Sequence, residues 1–168
     1  TTNIKYTTAL NDDSTANIAV VVNDGTADDA TNDSITVNIT AVNDSPVMTG
    51  IPTDITVTED VASDVNLSAA TISDVDTTGD ITLILAVGEG TLTASDFGGV
   101  VVTDSGTDTI QLTGTVAKLN TYLDTASRIQ YTGAANVNGG DATQLTIGTT
   151  DGGLTVLGIV NIDITSVN

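Results

Sequence analysis

The sequence predicts an all-β protein, an antiparallel Greek-key β-sandwich with one short helix. Short runs that alternate apolar and polar residues recur along the chain, and Asp, Asn, Gly or Thr bounds each run. The 168 residues include three Tyr, one Phe and no Trp, so Val, Ile, Leu and Ala must supply the buried surface. Burying one large aliphatic side chain contributes about 1.5–3 kcal/mol. A core built from such side chains suits two thin sheets packed face to face.

Each predicted strand carries apolar residues, mostly aliphatic, at every second position, which places them on one face of the strand. In chain order these residues are Ile35, Val37 and Ile39; Ile55 and Val57; Val65 and Leu67; Ile81, Leu83 and Leu85; Ile110 and Leu112; Ile129 and Tyr131; Leu145 and Ile147; and Val160, Ile162 and Ile164.

One segment departs from the strand pattern. In GTVAKLNTYLDTAS, Val116, Leu119 and Leu123 fall at helical spacing behind Thr115, a residue type that caps helix N-termini. We therefore expect a short helix lying across an edge or end of the sandwich. An irregular crossover loop is the alternative.

The chain contains an internal repeat. The segment IKYT at residues 4–7 recurs as IQYT at 129–132, and ITAVN at 39–43 recurs as ITSVN at 164–168, both 125 residues apart. A repeat of this length predicts modules arranged in tandem.

The repeat sets the predicted domain boundaries, and we expect the chain to be part of a longer protein. Pro46 favours an extended conformation at Ser45 and cannot donate to a strand ladder, as suits a short joint. We interpret residues 1–42 as the C-terminal half of a preceding module, residues 43–46 as a linker and residues 46–168 as a complete module.

Composition excludes several classes of function. With 22 acidic and three basic residues the formal net charge is −19, and nucleic acid binding requires Lys and Arg. The absence of Cys and His removes disulfides, thiol catalysis, zinc sites and imidazole triads. Oxygen ligands remain, and these suit Ca²⁺. No long apolar run or signal peptide is visible, so we expect no membrane insertion.

Acidic residues concentrate at the predicted strand ends, which a sandwich gathers at its two poles. Each pair of like charges about 4 Å apart costs roughly 4 kcal/mol at an effective dielectric near 20, unless a cation lies between them. The candidate metal ligands are Asp12, Asp13, Asp24, Asn43, Asp44, Glu59, Asp60, Asp74, Asp76, Asp141 and Asp151.

Four of these segments carry a family resemblance. They resemble motifs of cadherin-type repeats. The linker motif is matched by VNDSPV at 42–47 and the Glu motif by VTED at 57–60. The Asp-x-Asp motif is matched by SDVD at 73–76 and the final Asp motif by TTDG at 149–152. The whole pattern is similar to the cadherin-like and Ig-like tandem modules of giant bacterial surface adhesins of the RTX type.

The resemblance implies a Ca²⁺ cluster at the joint. Asn43 and Asp44 would be linker ligands, Asp74, Asp76 and Asp151 would belong to the complete module, and Asp12 or Asp13 to the preceding half. The far pole of the module would carry Glu59, Asp60 and Asp141, which would bind Ca²⁺ at the next joint. Asp24 would face the joint before the half module.

The function implied is that of a Ca²⁺-binding structural module that extends an adhesin from the bacterial surface, with neighbouring repeats of the same chain as partners. It would be extracellular and not an enzyme. The alternative is a module that itself binds a polysaccharide or a host or cell-surface protein.

Two other readings of the acidic residues are weaker. Paired carboxylates could hydrolyse glycosides, but chance pairs are expected among 22 acids. An EF-hand starting at Asp74 would need a twelfth-position Glu, and that position is Leu85.

The few aromatic residues are expected in the core rather than in a binding site. Tyr6 and Tyr131 occupy the same repeat position on an alternating strand, and we place Tyr122 and Phe97 in the core with them.

Overall fold

The computed structural model describes residues 4–9, 12, 14–23, 25–26 and 33–167. Asp13 and Asp24, two of the predicted ligands, lie outside the described residues. The chain divides into two compact units, Thr1–Asn43 and Asp44–Asn168. In the described part of the chain, no helix is both long and apolar enough to span a membrane.

In the first unit, strands β1 (Ala16–Val20) and β2 (Asp33–Val37) form an antiparallel ladder. Ile18 lies opposite Ile35, as the alternation of apolar residues requires. Ile35 is nevertheless 55% exposed, and Tyr6 is 42% exposed. The expectation that Tyr6 packs in a core is therefore wrong for this unit.

The second unit consists of short strands and one helix. In chain order the strands are β3 (Val47–Thr49), β4 (Asp54–Thr58), β5 (Ser63–Asp64), β6 (Thr71–Ser73), β7 (Asp80–Val87), β8 (Thr91–Ala94), β9 (Val101–Thr103), β10 (Thr109–Thr115), β11 (Ile129–Thr132), β12 (Gly139–Thr149) and β13 (Thr155–Thr165).

These strands form a six-stranded sheet in the order β4-β13-β12-β7-β10-β9, a three-stranded sheet in the order β5-β11-β8 and the pair β3-β6. The predicted all-β sandwich with one short helix is confirmed. The pairing departs from fully antiparallel at one place, because β4 runs parallel to β13. The first long strand of the unit thus lies beside its last.

The core follows the predicted alternation. On β7, Ile81, Leu83, Leu85 and Val87 are buried, whereas the residues between them are half-buried. Leu85 lies opposite Ile110 on β10 and Ile147 on β12, so three adjacent strands contribute to one apolar layer.

Two tyrosines complete the core. The buried Tyr122 and Tyr131 hydroxyls donate to the carbonyls of Ser95 and Glu89, each at 2.9 Å. Burial raises the pKa of both phenols. Their predicted core positions are confirmed, but that of Phe97 is wrong, because its side chain is 45% exposed.

The predicted helix is present as α1 (Val116–Leu123), so the alternative of an irregular loop is wrong. The Thr115 hydroxyl accepts a hydrogen bond from the Lys118 N–H at 3.4 Å and caps the helix. The Asn120 side chain accepts from the N–H of Ile72 at 2.8 Å and donates to its carbonyl at 2.9 Å. The helix thereby holds β6, the strand that leads into Asp74.

Candidate functional site

Three predicted ligands lie close together at the end of the second unit where the chain enters it, and Asp44 contacts them through its backbone N–H. Asp74 and Asp76 follow β6, Asp151 lies in the turn between β12 and β13, and Asp44 begins the unit. We call these four residues the entry group.

The loop after β6 is shaped by the first of these residues. One oxygen of Asp74, Oδ1, accepts hydrogen bonds from the backbone N–H of Asp76 at 3.1 Å and of Thr77 at 2.8 Å. A carboxylate that binds the backbone two and three residues ahead forms a tight polar turn. The turn directs Asp76 back toward the start of the unit.

The first residues of the second unit are attached to this end. The backbone N–H of Asp44 donates to Oδ2 of Asp76 at 3.0 Å. The hydroxyl of Ser45 lies 3.4 Å from that of Thr155 at the start of β13. Two consecutive residues at the start of the second unit, Asp44 and Ser45, therefore contact two different segments of the same end.

Two carboxylate oxygens in this group are buried without a hydrogen-bond partner: Oδ2 of Asp74 and Oδ1 of Asp76. Most buried polar atoms in native proteins have a partner, and a charged group left without one is costly. These two oxygens are therefore free to accept from a cation, a proton or a water molecule.

The electrostatics of Asp74 favour its ionised form. Burial raises the pKa of the Asp74 carboxyl, but hydrogen bonds from the Thr77 and Asp76 amides outweigh burial, so the pKa lies below 3.8. The side chains of Asp76 and Asp151 also lie within hydrogen-bonding range of Asp74. Ionised carboxylates only accept hydrogen bonds, so these three side chains cannot satisfy one another while all are ionised.

The opposite end of the unit uses its predicted ligands differently. Glu59 is only 6% exposed, and its Oε2 accepts from the N–H of Val167 at 3.3 Å. Its own N–H donates to the carbonyl of Thr165 at 2.9 Å. Glu59 thus holds the end of the chain against β4. Asp60 is exposed, with a positive φ of 60°.

Asp141 belongs to a different group of carboxylates. It lies in an irregular stretch of β12, and its N–H donates to Oδ1 of Asp163 on β13 at 2.7 Å. Asp54 on β4 completes the group, in which one oxygen of each carboxylate lies within 4.8 Å of the others. These three residues, here named the sheet-face triad, could hold a metal ion.

Sequence reasoning missed Asp54 and Asp163. Asp163 lies inside β13, where alternation indicates only a polar position on the solvent face. Asp54 begins β4 with no acidic residue beside it in the sequence. The strands β4 and β12 flank β13 on its two sides. Because strand pairing determines the cluster, knowledge of the parallel β4–β13 register would have been needed to find it.

The remaining predicted ligands lie in the first unit. Asp12 accepts from both the hydroxyl and the N–H of Ser14, and these bonds lower the pKa of its carboxyl. Asn43 is exposed.

Comparison of the chain with protein-family models, with curated proteins and with solved structures finds no significant match. The resemblance to cadherin-like adhesin repeats therefore stays a prediction from the motifs.

Proposed function

We propose that this chain is a Ca²⁺-binding structural module that extends a large bacterial surface adhesin, and that ions at the joints stiffen its tandem array. The observation that supports this proposal most directly is the pair of buried oxygens, Asp74 Oδ2 and Asp76 Oδ1, which have no hydrogen-bond partner. They lie beside the segment that leads into the unit.

The donor chemistry favours calcium over other metals. The chain has no Cys or His, so carboxylate, amide, hydroxyl and backbone oxygens are the ligands it can offer. Such oxygens suit hard cations, and irregular loops suit the flexible coordination of Ca²⁺ better than the strict octahedron of Mg²⁺. Asp74, Asp76 and Asp151 would hold the ion, which would supply the positive charge that this group lacks.

The mechanism is mechanical. The Asp44 N–H already binds the carboxylate of Asp76, so an ion that immobilises Asp76 also immobilises the start of the unit. Without the ion, repulsion among the carboxylates would loosen the same contact. The entry of the chain into the module would then flex.

Calorimetry tests the site. Titrating the protein with CaCl₂ should give saturable binding that the double variant Asp74→Asn/Asp76→Asn loses. The control Asp108→Asn/Asp124→Asn removes two charges from exposed positions and should bind as the wild type does. A separate variant, Asp163→Asn, tests whether the sheet-face triad also binds an ion. If it does, this variant should bind one Ca²⁺ fewer per chain than the wild type.

Small-angle scattering tests the mechanical role. The maximum dimension of the chain should be smaller or more broadly distributed in EDTA than in Ca²⁺, and the Asp74→Asn/Asp76→Asn variant should resemble the EDTA state in both buffers. Saturable Ca²⁺ binding with no change in scattering would retain the site but overturn the stiffening role. Absence of binding would overturn both.

A further inference from the structure

A polar cavity of about 480 Å³ lies where β8 and β11 meet the segment that follows α1. Thr93 on β8 lies opposite Gln130 on β11, and both residues line the cavity. The volume is within the range of small-ligand sites, but such sites are predominantly apolar. Here the lining consists mainly of hydroxyl, amide and guanidinium groups.

One of the hydroxyls is engaged within the protein. The Ser105 Oγ donates to the carbonyl of Ala94 at 2.8 Å and accepts from its N–H at 3.0 Å. Within the described ranges, four other lining hydroxyls make no hydrogen bond, those of Thr93, Ser95, Thr125 and Ser127. Each can donate and accept.

Arg128 supplies the positive charge of the cavity. Its guanidinium carbon lies 3.2 Å from the centroid of the Phe97 ring and 5.6 Å from that of Tyr122. Its Nε is buried and has no hydrogen-bond partner. The rings therefore hold the guanidinium in place while its donors stay unused.

The lack of a carboxylate partner for Arg128 is notable, because the chain has 22 acidic residues and only three basic ones. Two acids on neighbouring segments bind other donors. Asp96 accepts from the N–H of Val102 at 2.7 Å, and Asp64 accepts from the side chain of Gln130 at 3.2 Å. Over the residues that the structure describes, no carboxylate pairs with Arg128.

We propose that this cavity binds a sugar unit carrying a carboxylate, as in an acidic polysaccharide. The planar guanidinium matches a carboxylate in shape and charge. The four unbound hydroxyls would exchange hydrogen bonds with the hydroxyls of the sugar ring. A peptide carboxyl terminus with an apolar side chain fits less well, because that side chain would meet mainly polar walls. The proposal does not depend on Ca²⁺ binding.

NMR titration of the full chain in EDTA tests the proposal. Trigalacturonic acid is the acidic probe, and a neutral galactose trimer is the control ligand without carboxylates. Amide shifts should occur at Thr93, Ser127 and Arg128 with the acidic probe and should saturate. Arg128→Gln should weaken binding by about tenfold or more, the loss expected from one charged hydrogen-bonding partner. Arg128→Lys should retain part of the affinity, because lysine keeps the positive charge but lacks the planar guanidinium that donates two parallel hydrogen bonds to a carboxylate.

Lys118→Gln is the matched control, since it removes one positive charge outside the cavity lining, and it should change affinity by less than about twofold. Equal binding of the neutral trimer, shifts located outside the cavity or no binding by the wild-type chain would overturn the proposal. Equal binding of N-acetylglycine would overturn the saccharide assignment. The shift map of the wild-type chain decides the outcome even if Arg128→Gln fails to fold.

Discussion

The backbone N–H of Asp44 donates to Oδ2 of Asp76 at 3.0 Å, although the two residues are 32 positions apart in the chain. The other oxygen of Asp76 is buried without a partner. One carboxylate therefore both anchors the start of the unit and leaves an oxygen available for a cation.

Replacing Asp76 by Asn should have opposite effects with and without Ca²⁺. In EDTA the amide can donate to the unpartnered oxygen of Asp74, and we expect a gain of about 0.5–1.5 kcal/mol in the free energy of unfolding. In Ca²⁺ the variant should lose the stabilisation that the ion gives the wild type. Urea unfolding in both buffers measures the two effects.

The control for this experiment is Asp108→Asn, an exposed change that should shift stability by less than about 0.5 kcal/mol in either buffer. If Asp76→Asn destabilised the protein equally with and without Ca²⁺, the carboxylate would be structural rather than a ligand.

Asp74 should contribute to the pH dependence of stability. Its pKa in the folded protein lies below the ordinary 3.8, so its contribution is fully present above that pH and is lost as the pH falls through the lower, folded-state value. Asp74→Asn should therefore flatten the loss of stability on acidification below about pH 4. Urea unfolding in EDTA at stepped pH measures the slope. A variant slope equal to that of the wild type would contradict the assignment.

Asn120 should be needed for the attachment of helix α1 to β6. Its side chain binds both the N–H and the carbonyl of Ile72, and Asn120→Ala leaves both groups without that partner. We expect a loss of about 2–4 kcal/mol in the free energy of unfolding, since each unsatisfied buried group costs about 1–3 kcal/mol. Thr121→Ala, on the exposed side of the same helix, is the control and should have a much smaller effect. Ala raises helix propensity at both positions, so similar losses in the two variants would mean that the attachment to Ile72 does not decide the effect.

Gly90 should tolerate no side chain. Its φ is +85°, and an added Cβ would lie 2.4 Å from the carbonyl oxygen of Thr132 and 2.7 Å from the Tyr131 hydroxyl. Gly106 has a similar φ of +93° but open space around it. Both Ala variants bear the backbone strain of about 1–2 kcal/mol, and Gly90→Ala should lose about 1–3 kcal/mol more from the clash. Thermal and urea unfolding of the pair isolates that difference, and equal stabilities would exclude the clash.

The helix illustrates what local patterns can predict. The spacing of Val116, Leu119 and Leu123 behind Thr115 was enough to place α1, because capping and amphipathic periodicity act within a few residues. The same holds for β7, whose alternation gives its buried face directly. Phe97 was misplaced because its hydrophobicity favours burial, whereas the neighbouring Arg128 covers its ring at the surface.

By itself, the sequence determined the all-β class, the helix, most core positions of the second unit and the concentration of carboxylates near strand ends. These follow from composition and from periodicities of two and 3.6 residues. Only the tertiary structure decided which carboxylates meet. It set Asp54 and Asp163 beside Asp141 through the parallel pairing of β4 with β13, and it brought Arg128 to a cavity of hydroxyls. Strand register and side-chain convergence join residues far apart in the chain, and no local pattern specifies such long-range pairing.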